Sequence, residues 1–244
     1  LFPEDGKGFD ESPSSISMDG EIVDGGLTVL DINRYDTLDR LNPELRRVMS
    51  RRMTRYYKTL TDKILADTRF NVAGPFADKT LMVGAYSAYQ AAPLEDSSFT
   101  YSSLRLDPRV MLLVCHSLEH NHPLKNGGSD DNVLFANSIP LWRKLYGKLG
   151  VYEYYQKGAM LGMPLPIVHA LRHDIPYYRE NGFSLFYTQP GTLNIGTVGL
   201  NIYLAAKLVW DVDDSVEDRL TDYFSKLYGP ASEQMRRSHR IYEE

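Results

Sequence analysis

The chain has 244 residues, of which 43% are hydrophobic, and it carries 27 Lys and Arg against 32 Asp and Glu. These values predict one folded domain over residues 1–244 with a full apolar core. The acidic balance argues against nucleic acid as a partner, and no apolar run is long enough to cross a bilayer, so no membrane partner is expected.

The first part of the chain lacks a regular apolar period. Residues 5–26 are rich in Gly, Ser and acidic groups and predict a long loop. The chain starts without Met or a signal-peptide pattern, so we expect an earlier part to precede it. The single cysteine, Cys115, excludes an internal disulfide framework. The sequence does not determine the cellular compartment of the protein, and the periplasm and secretion are among the alternatives.

A long helix is predicted over residues 42–68, where apolar residues recur at helical spacing and Pro43 suits the first turn. This helix carries the only dense basic run of the chain, whose arginines alternate with apolar residues: Arg46, Arg47, Arg51, Arg52 and Arg55. The alternation predicts that these arginines form a solvated helix face rather than a site for phosphates.

Four short apolar or aromatic runs predict strands, at residues 79–89, 110–115, 151–155 and 183–189. Helical segments are predicted between them at 132–148 and 164–181, and the chain is helical over residues 193–244. This order predicts an α/β fold with a parallel sheet. Because the chain begins in what looks like a loop after an earlier strand, we expect the C-terminal half of a (β/α)8 (TIM-like) barrel with C-terminal covering helices.

An ordered series of short motifs supports a resemblance to a known family. The motifs are PEDG at 3–6 with Gly8 and Phe9, Cys115 and His116 with Asn137 and Trp142, residues 152–155, residues 174–182, and residues 208–211 with Tyr228, Gly229 and Ala231. Together they resemble the domain-of-unknown-function family numbered 4838, a bacterial glycoside-hydrolase-like barrel family related in architecture to α-glucuronidases and hexosaminidases. The chain departs from the family at residues 10–14, where the family often has cysteines, and in lacking the first half of the barrel.

The resemblance implies that residues 1–6 end the fourth barrel strand and that the strand tips gather on one rim. Glycosidic cleavage needs one carboxylic acid and one carboxylate. Glu153 facing Asp5 or Glu4 is the predicted pair. The predicted substrate-binding residues are Tyr86, His116, Tyr155, Trp142 and Gln189. The implied function is therefore cleavage of a bacterial or plant glycan without a cofactor.

Other interpretations of the same residues stay open. Glu153 could form a structural ion pair, Asp5 could be a turn residue, and the tyrosines could fill the core. A non-catalytic glycan-binding barrel is the alternative function. The exposed strand edges of a half-barrel also predict a second copy of the chain, or a partner that supplies the missing half.

One motif suggests metal chemistry instead. Residues 116–120 have the H-x-x-E-H form of inverted zinc peptidases, with His122 nearby. That chemistry needs both histidines on one helix face, whereas here the motif directly follows a strand. A zinc peptidase and a structural metal stay open, but we expect no metal and assign His116 to substrate binding. Cys115 and His116 are adjacent on a strand, so their side chains point to opposite faces and do not form a nucleophile pair.

Overall fold

The computed structural model describes residues 12–13, 43–95, 99–116, 120–126, 128–155, 164–188 and 195–243. Within these ranges the protein is mixed α/β, and its four strands form one parallel sheet in the order β1-β2-β3-β4. The strands are β1 (Leu81–Ala85), β2 (Val110–Cys115), β3 (Lys148–Glu153) and β4 (Phe183–Thr188). Each strand overlaps one of the four predicted runs, so the predicted α/β class is confirmed.

β1 and β2 pair in parallel, with Leu81 opposite Val110 and Ala85 opposite Val114. All six residues of β2 are buried. This burial agrees with the sequence of the strand, which is apolar on both faces as in the centre of a parallel sheet. Cys115 is buried at the end of β2, as expected for a small hydrophobic side chain.

Seven α-helices lie within the described ranges. They are α1 (Pro43–Leu65), α2 (Tyr101–Leu104), α3 (Asp130–Leu145), α4 (Val168–Glu180), α5 (Ile195–Trp210), α6 (Val216–Tyr228) and α7 (Ser232–Glu243). α3 and α4 connect successive strands, as predicted. α4 ends just before Gly182, whose φ of 73° is the left-handed conformation that glycine adopts without strain. None of these helices is both long and apolar enough to span a bilayer.

The chain divides into two compact units. The first comprises Leu1–Cys115 and Leu134–Val151, and the second comprises His116–Val133 and Tyr152–Glu244. The division therefore falls within β3 and within α3. The expectation of one domain over residues 1–244 stays a prediction.

The basic face of α1, in the first unit, differs from the prediction. Arg46 and Arg51 are 6% and 4% exposed, so the prediction of a solvated arginine face is wrong for these two residues. Arg47 donates to the carbonyl oxygen of Ala92 at 2.6 Å, and Arg51 donates to that of Leu94 at 3.0 Å. A guanidinium group has five donors on a long apolar stem, which lets it satisfy backbone carbonyls while the stem packs. The arginines thus hold the segment that follows β1.

The second unit has an apolar core formed by α4, α5 and α6. It includes Leu171, Leu204 and Phe224, and Tyr155 joins them from the segment just after β3. α6 begins after Ser215, whose hydroxyl accepts a hydrogen bond from the backbone N–H of Asp218 at 3.2 Å. This core fixes α4 against the C-terminal ends of β3 and β4.

Candidate functional site

Two predicted site residues meet in the second unit. His116 follows the last residue of β2, and Glu153 is the last residue of β3. His116 Nδ1 lies 3.1 Å from each carboxylate oxygen of Glu153. Both side chains are fully buried. The sequence therefore placed both residues correctly at strand ends, although it did not predict that they would contact each other.

Asn132 on α3 fixes the orientation of the His116 ring. The amide of Asn132 donates from Nδ2 to the carbonyl oxygen of His122 at 2.8 Å, so its Oδ1 atom is the one that faces the ring. His116 Nε2 lies 2.9 Å from this oxygen and must donate to it, because an amide oxygen only accepts. The proton on Nε2 is thereby assigned, and Nδ1 is the nitrogen that faces Glu153.

Tyr178 on α4 completes the contacts of the carboxylate. Its hydroxyl donates a short hydrogen bond to Oε1 of Glu153 and lies 3.5 Å from His116 Nδ1. A buried carboxylate without partners would be costly, whereas Glu153 has both an opposite charge and a hydroxyl donor. Oε2 of Glu153 is left facing the two histidines.

The pKa values of the pair shift toward the charged forms. Burial raises the pKa of Glu153, but the charge and hydrogen bond of His116 outweigh it and hold that pKa below its usual range. Burial likewise lowers the pKa of His116, and the attraction of Glu153 outweighs it, so the pKa of His116 is raised. The two directions agree on a buried imidazolium–carboxylate ion pair.

His120 lies beside this pair. Its ring packs edge-on against His116, with the centroids 5.1 Å apart, and against Tyr155 at 5.3 Å. His120 Nε2 is 3.7 Å from Oε2 of Glu153. One ligand atom from each of His116, His120 and Glu153 lies within 4.8 Å of the others, so these three side chains could hold a metal ion.

A second buried carboxyl group, Asp174 of α4, lies nearby. Its Oδ1 atom accepts the backbone N–H of Leu124 at 2.8 Å. Burial and repulsion from Glu153 outweigh this hydrogen bond and raise the pKa of Asp174 to about 7. Asp174 therefore changes charge near neutral pH.

The opposite face of β3 carries a tyrosine cluster. Successive residues of a strand point to opposite faces, so Tyr152 lies on the other side of β3 from Glu153. Tyr154, which follows the strand directly, packs its ring against that of Tyr152. The Tyr152 ring lies 4.9 Å from that of Tyr154 and 4.7 Å from that of Tyr187 on β4. Tyr187 is 48% exposed, and the other two are half-buried. We call Tyr152, Tyr154 and Tyr187 the tyrosine face.

Among the other predicted site residues, Tyr155 packs its ring against His120 and is buried in the apolar core of the second unit. In the first unit, Trp142 is buried and its indole donates to the carbonyl oxygen of Gln90 at 3.1 Å, while Tyr86 is half-buried directly after β1. Their roles in substrate binding stay predictions. Three further predicted residues lie outside the described ranges: Glu4, Asp5 and Gln189.

Three members of the cluster were missed by sequence reasoning. Asn132 lies in a helix and has no motif around it, and Tyr178 lies within the motif at residues 174–182 without any predicted role, so only the fold brings them to Glu153. His120 ends the H-x-x-E-H motif, and the glutamate of that motif, Glu119, lies outside the described ranges. The carboxylate beside His116 and His120 comes instead from the next strand. Tyr187 was overlooked, although its position in an aromatic strand was visible.

Comparison with known proteins gives one result. The family model described as Domain of unknown function (DUF4838) matches residues 42–240. No curated protein and no solved structure matches the chain significantly. The match covers most of the chain, including every strand and the cluster around Glu153, so the protein belongs to the DUF4838 family.

Proposed function

We propose that the chain is the C-terminal half of a (β/α)8 barrel and that it binds glycan on the tyrosine face. The sheet order β1-β2-β3-β4 follows the chain, with α3 and α4 as connections. A barrel is wound continuously in one direction, whereas a doubly wound sheet reverses its strand order. The observed order supports the barrel.

The tyrosine face is the observation that carries the functional proposal. The Tyr152 ring contacts the rings of Tyr154 and Tyr187 near the C-terminal ends of β3 and β4, and Tyr187 is about half exposed. Barrel enzymes bind substrate at this end of the strands. Tyrosine suits sugar because its ring packs against the C–H face of a pyranose while its hydroxyl reaches the polar edge. The family resemblance supports an acidic or N-acetylated glycan.

A titration of the full chain with neutral, acidic and N-acetylated oligosaccharides tests the proposal. Tyr187→Ala should weaken the tightest ligand about tenfold, the equivalent of roughly 1.4 kcal/mol for one aromatic contact. Tyr242→Ala is the matched control, because Tyr242 is 49% exposed but lies on α7. Absence of binding across the panel, or equal effects of the two substitutions, would refute glycan binding at this face.

The alternative candidate function is cleavage of a glycan that binds on the Glu153 side of β3 instead of on the tyrosine face. The ionised state of Glu153 at the end of β3 favours it, because a glycosidase needs one carboxylate that is charged. Glu153 would then be the nucleophile or base, and Asp5 or Glu4 would be the acid. A carboxyl separation of about 5 Å would indicate retention, and about 6.5 to 9.5 Å would indicate inversion.

The variant Glu153→Gln tests the catalytic role. The carboxamide keeps an oxygen that accepts from Tyr178, so under this alternative we expect the fold to persist and turnover of a cleaved glycan to be lost. Circular dichroism and thermal unfolding check the fold separately. Turnover in a folded Glu153→Gln protein would remove Glu153 from the mechanism.

A further inference from the structure

We propose that His116, His120 and Glu153 form a binding site for one divalent transition-metal ion of the Zn²⁺ class. The set comprises two imidazoles and one carboxylate, which are donor types that Zn²⁺ uses in proteins. All three residues belong to the second unit and are buried. The site is independent of the tyrosine face, which lies on the other side of β3.

Two of the three distances between the donor atoms are close to the spacing that a small ion requires. Bonds of about 2.0 to 2.1 Å in a tetrahedral arrangement place neighbouring donors about 3.3 Å apart. Oε2 of Glu153 lies 3.1 Å from His116 Nδ1 and 3.7 Å from His120 Nε2, and all three donors lie within 4.8 Å of one another. To bind an ion, Oε2 must move by a few tenths of an ångström relative to each histidine nitrogen. The two histidine nitrogens must move further than that relative to each other.

Two neighbours orient the donors in the way metal sites require. A ligating histidine normally donates its other N–H to an oxygen, and His116 does so through Nε2 to Asn132 at 2.9 Å. Nδ1 is therefore the atom left to bind the ion. Tyr178 occupies Oε1 of Glu153, which leaves Oε2, the oxygen nearest His120, as the ligand. The proton on Nε2 of His116 and the hydrogen bond to Oε1 of Glu153 thus leave Nδ1 and Oε2, which lie next to each other, as the atoms that bind the ion.

The point between the donor atoms suits a cation, because both carboxylate oxygens of Glu153 lie 3.1 Å from His116 Nδ1 in a fully buried position. The hydroxyl of Tyr155 is buried without a hydrogen-bond partner among the described residues, and its ring packs on His120.

The experiment is a Zn²⁺ titration of the full chain after treatment with a chelator, in competition with a chromophoric chelator. We expect one Zn²⁺ per chain. His120→Ala should weaken the affinity at least 100-fold, because a ligand is lost. His173→Ala is the matched control: His173 is an exposed histidine of α4, outside the set, and its substitution should leave the affinity unchanged. Asn132→Leu should weaken the affinity about tenfold through the orientation of His116.

X-ray absorption on the zinc-loaded wild-type chain provides a test that needs no variant. The proposal expects two imidazole ligands and light-atom scatterers at about 2.0 to 2.1 Å. Three results would each overturn the assignment. They are less than one Zn²⁺ per chain at saturation, a folded His120→Ala protein that binds Zn²⁺ with wild-type affinity, and a coordination shell without two imidazoles. Glycan is absent from both measurements, so their outcome does not depend on the proposed function.

Discussion

Asp174 makes the stability of the protein depend on pH. Its pKa is about 7 in the folded protein, against an ordinary value of 3.8, because burial disfavours its charged form. Between these two values the folded state binds more protons than the unfolded state, so the free energy of unfolding falls as pH rises from about 4 to 7. The difference is 7 minus 3.8, about three pKa units, and each unit corresponds to about 1.4 kcal/mol. Ionised Asp174 therefore costs about 4 kcal/mol above pH 8, as an upper value.

The substitution Asp174→Asn removes this cost. The amide oxygen still accepts the N–H of Leu124, and no charge is buried. In urea unfolding with a chelator present, we expect the variant to be more stable than the wild type by only about 1 kcal/mol near pH 4.5. The variant should be more stable by up to about 4 kcal/mol at pH 8. Two results would refute this account of Asp174. One is a free energy of unfolding of the wild type that does not fall between pH 4 and 7, and the other is a variant less stable than the wild type at pH 8.

Two further substitutions test the buried polar contacts by urea unfolding in chelator. Tyr178→Phe removes the hydroxyl that donates to Glu153 and should cost about 1.5 to 3 kcal/mol, as for a hydrogen bond to a charged group. Tyr155→Phe is its control, because that buried hydroxyl has no partner among the described residues and its loss should change stability by less than about 0.5 kcal/mol. Equal costs for the two would contradict the assigned hydrogen bond. Arg51→Ala should lower the free energy of unfolding by about 2 kcal/mol, whereas substitution of the exposed Arg105 by Ala should leave it almost unchanged. An Arg51→Ala protein as stable as the wild type would show that the buried contact of Arg51 with the carbonyl oxygen of Leu94 is not stabilising.

Sequence periodicity predicted the secondary structure closely because the apolar pattern and the stop signals agree. The predicted helix over residues 164–181 is observed at Val168–Glu180, and its Asn-Gly end corresponds to the left-handed Gly182. The fully apolar run of β2 was recognised as a strand buried on both faces. These features are local, so each is determined by neighbouring residues that the sequence displays side by side.

The candidate site was predicted only in part, because it depends on contacts between distant residues. Strand alternation separates Glu153 and Tyr155 from Tyr152 and Tyr154, but it does not say which face a helix covers. α4 covers the face of Glu153 and brings Tyr178 to it, which buries the carboxylate expected at an open rim. His116 and Glu153 are 37 residues apart, and only the pairing of β2 with β3 makes them neighbours.

The arginines of α1 illustrate the same limit. Helical spacing identified their shared face, but spacing alone does not reveal what packs over that face. The carbonyl oxygens of Ala92 and Leu94, in the segment after β1, accept from two of the arginines. A side chain that is polar at its end can thus be buried through contacts with a backbone segment more than 40 residues away.

A crystal structure of the full chain with the tightest oligosaccharide of the panel tests the central claim most directly. The account predicts a sugar ring packed against Tyr187 and Tyr152, on the face of β3 opposite to Glu153. A sugar bound in direct contact with His116 and Glu153, with the tyrosine face empty, would contradict it.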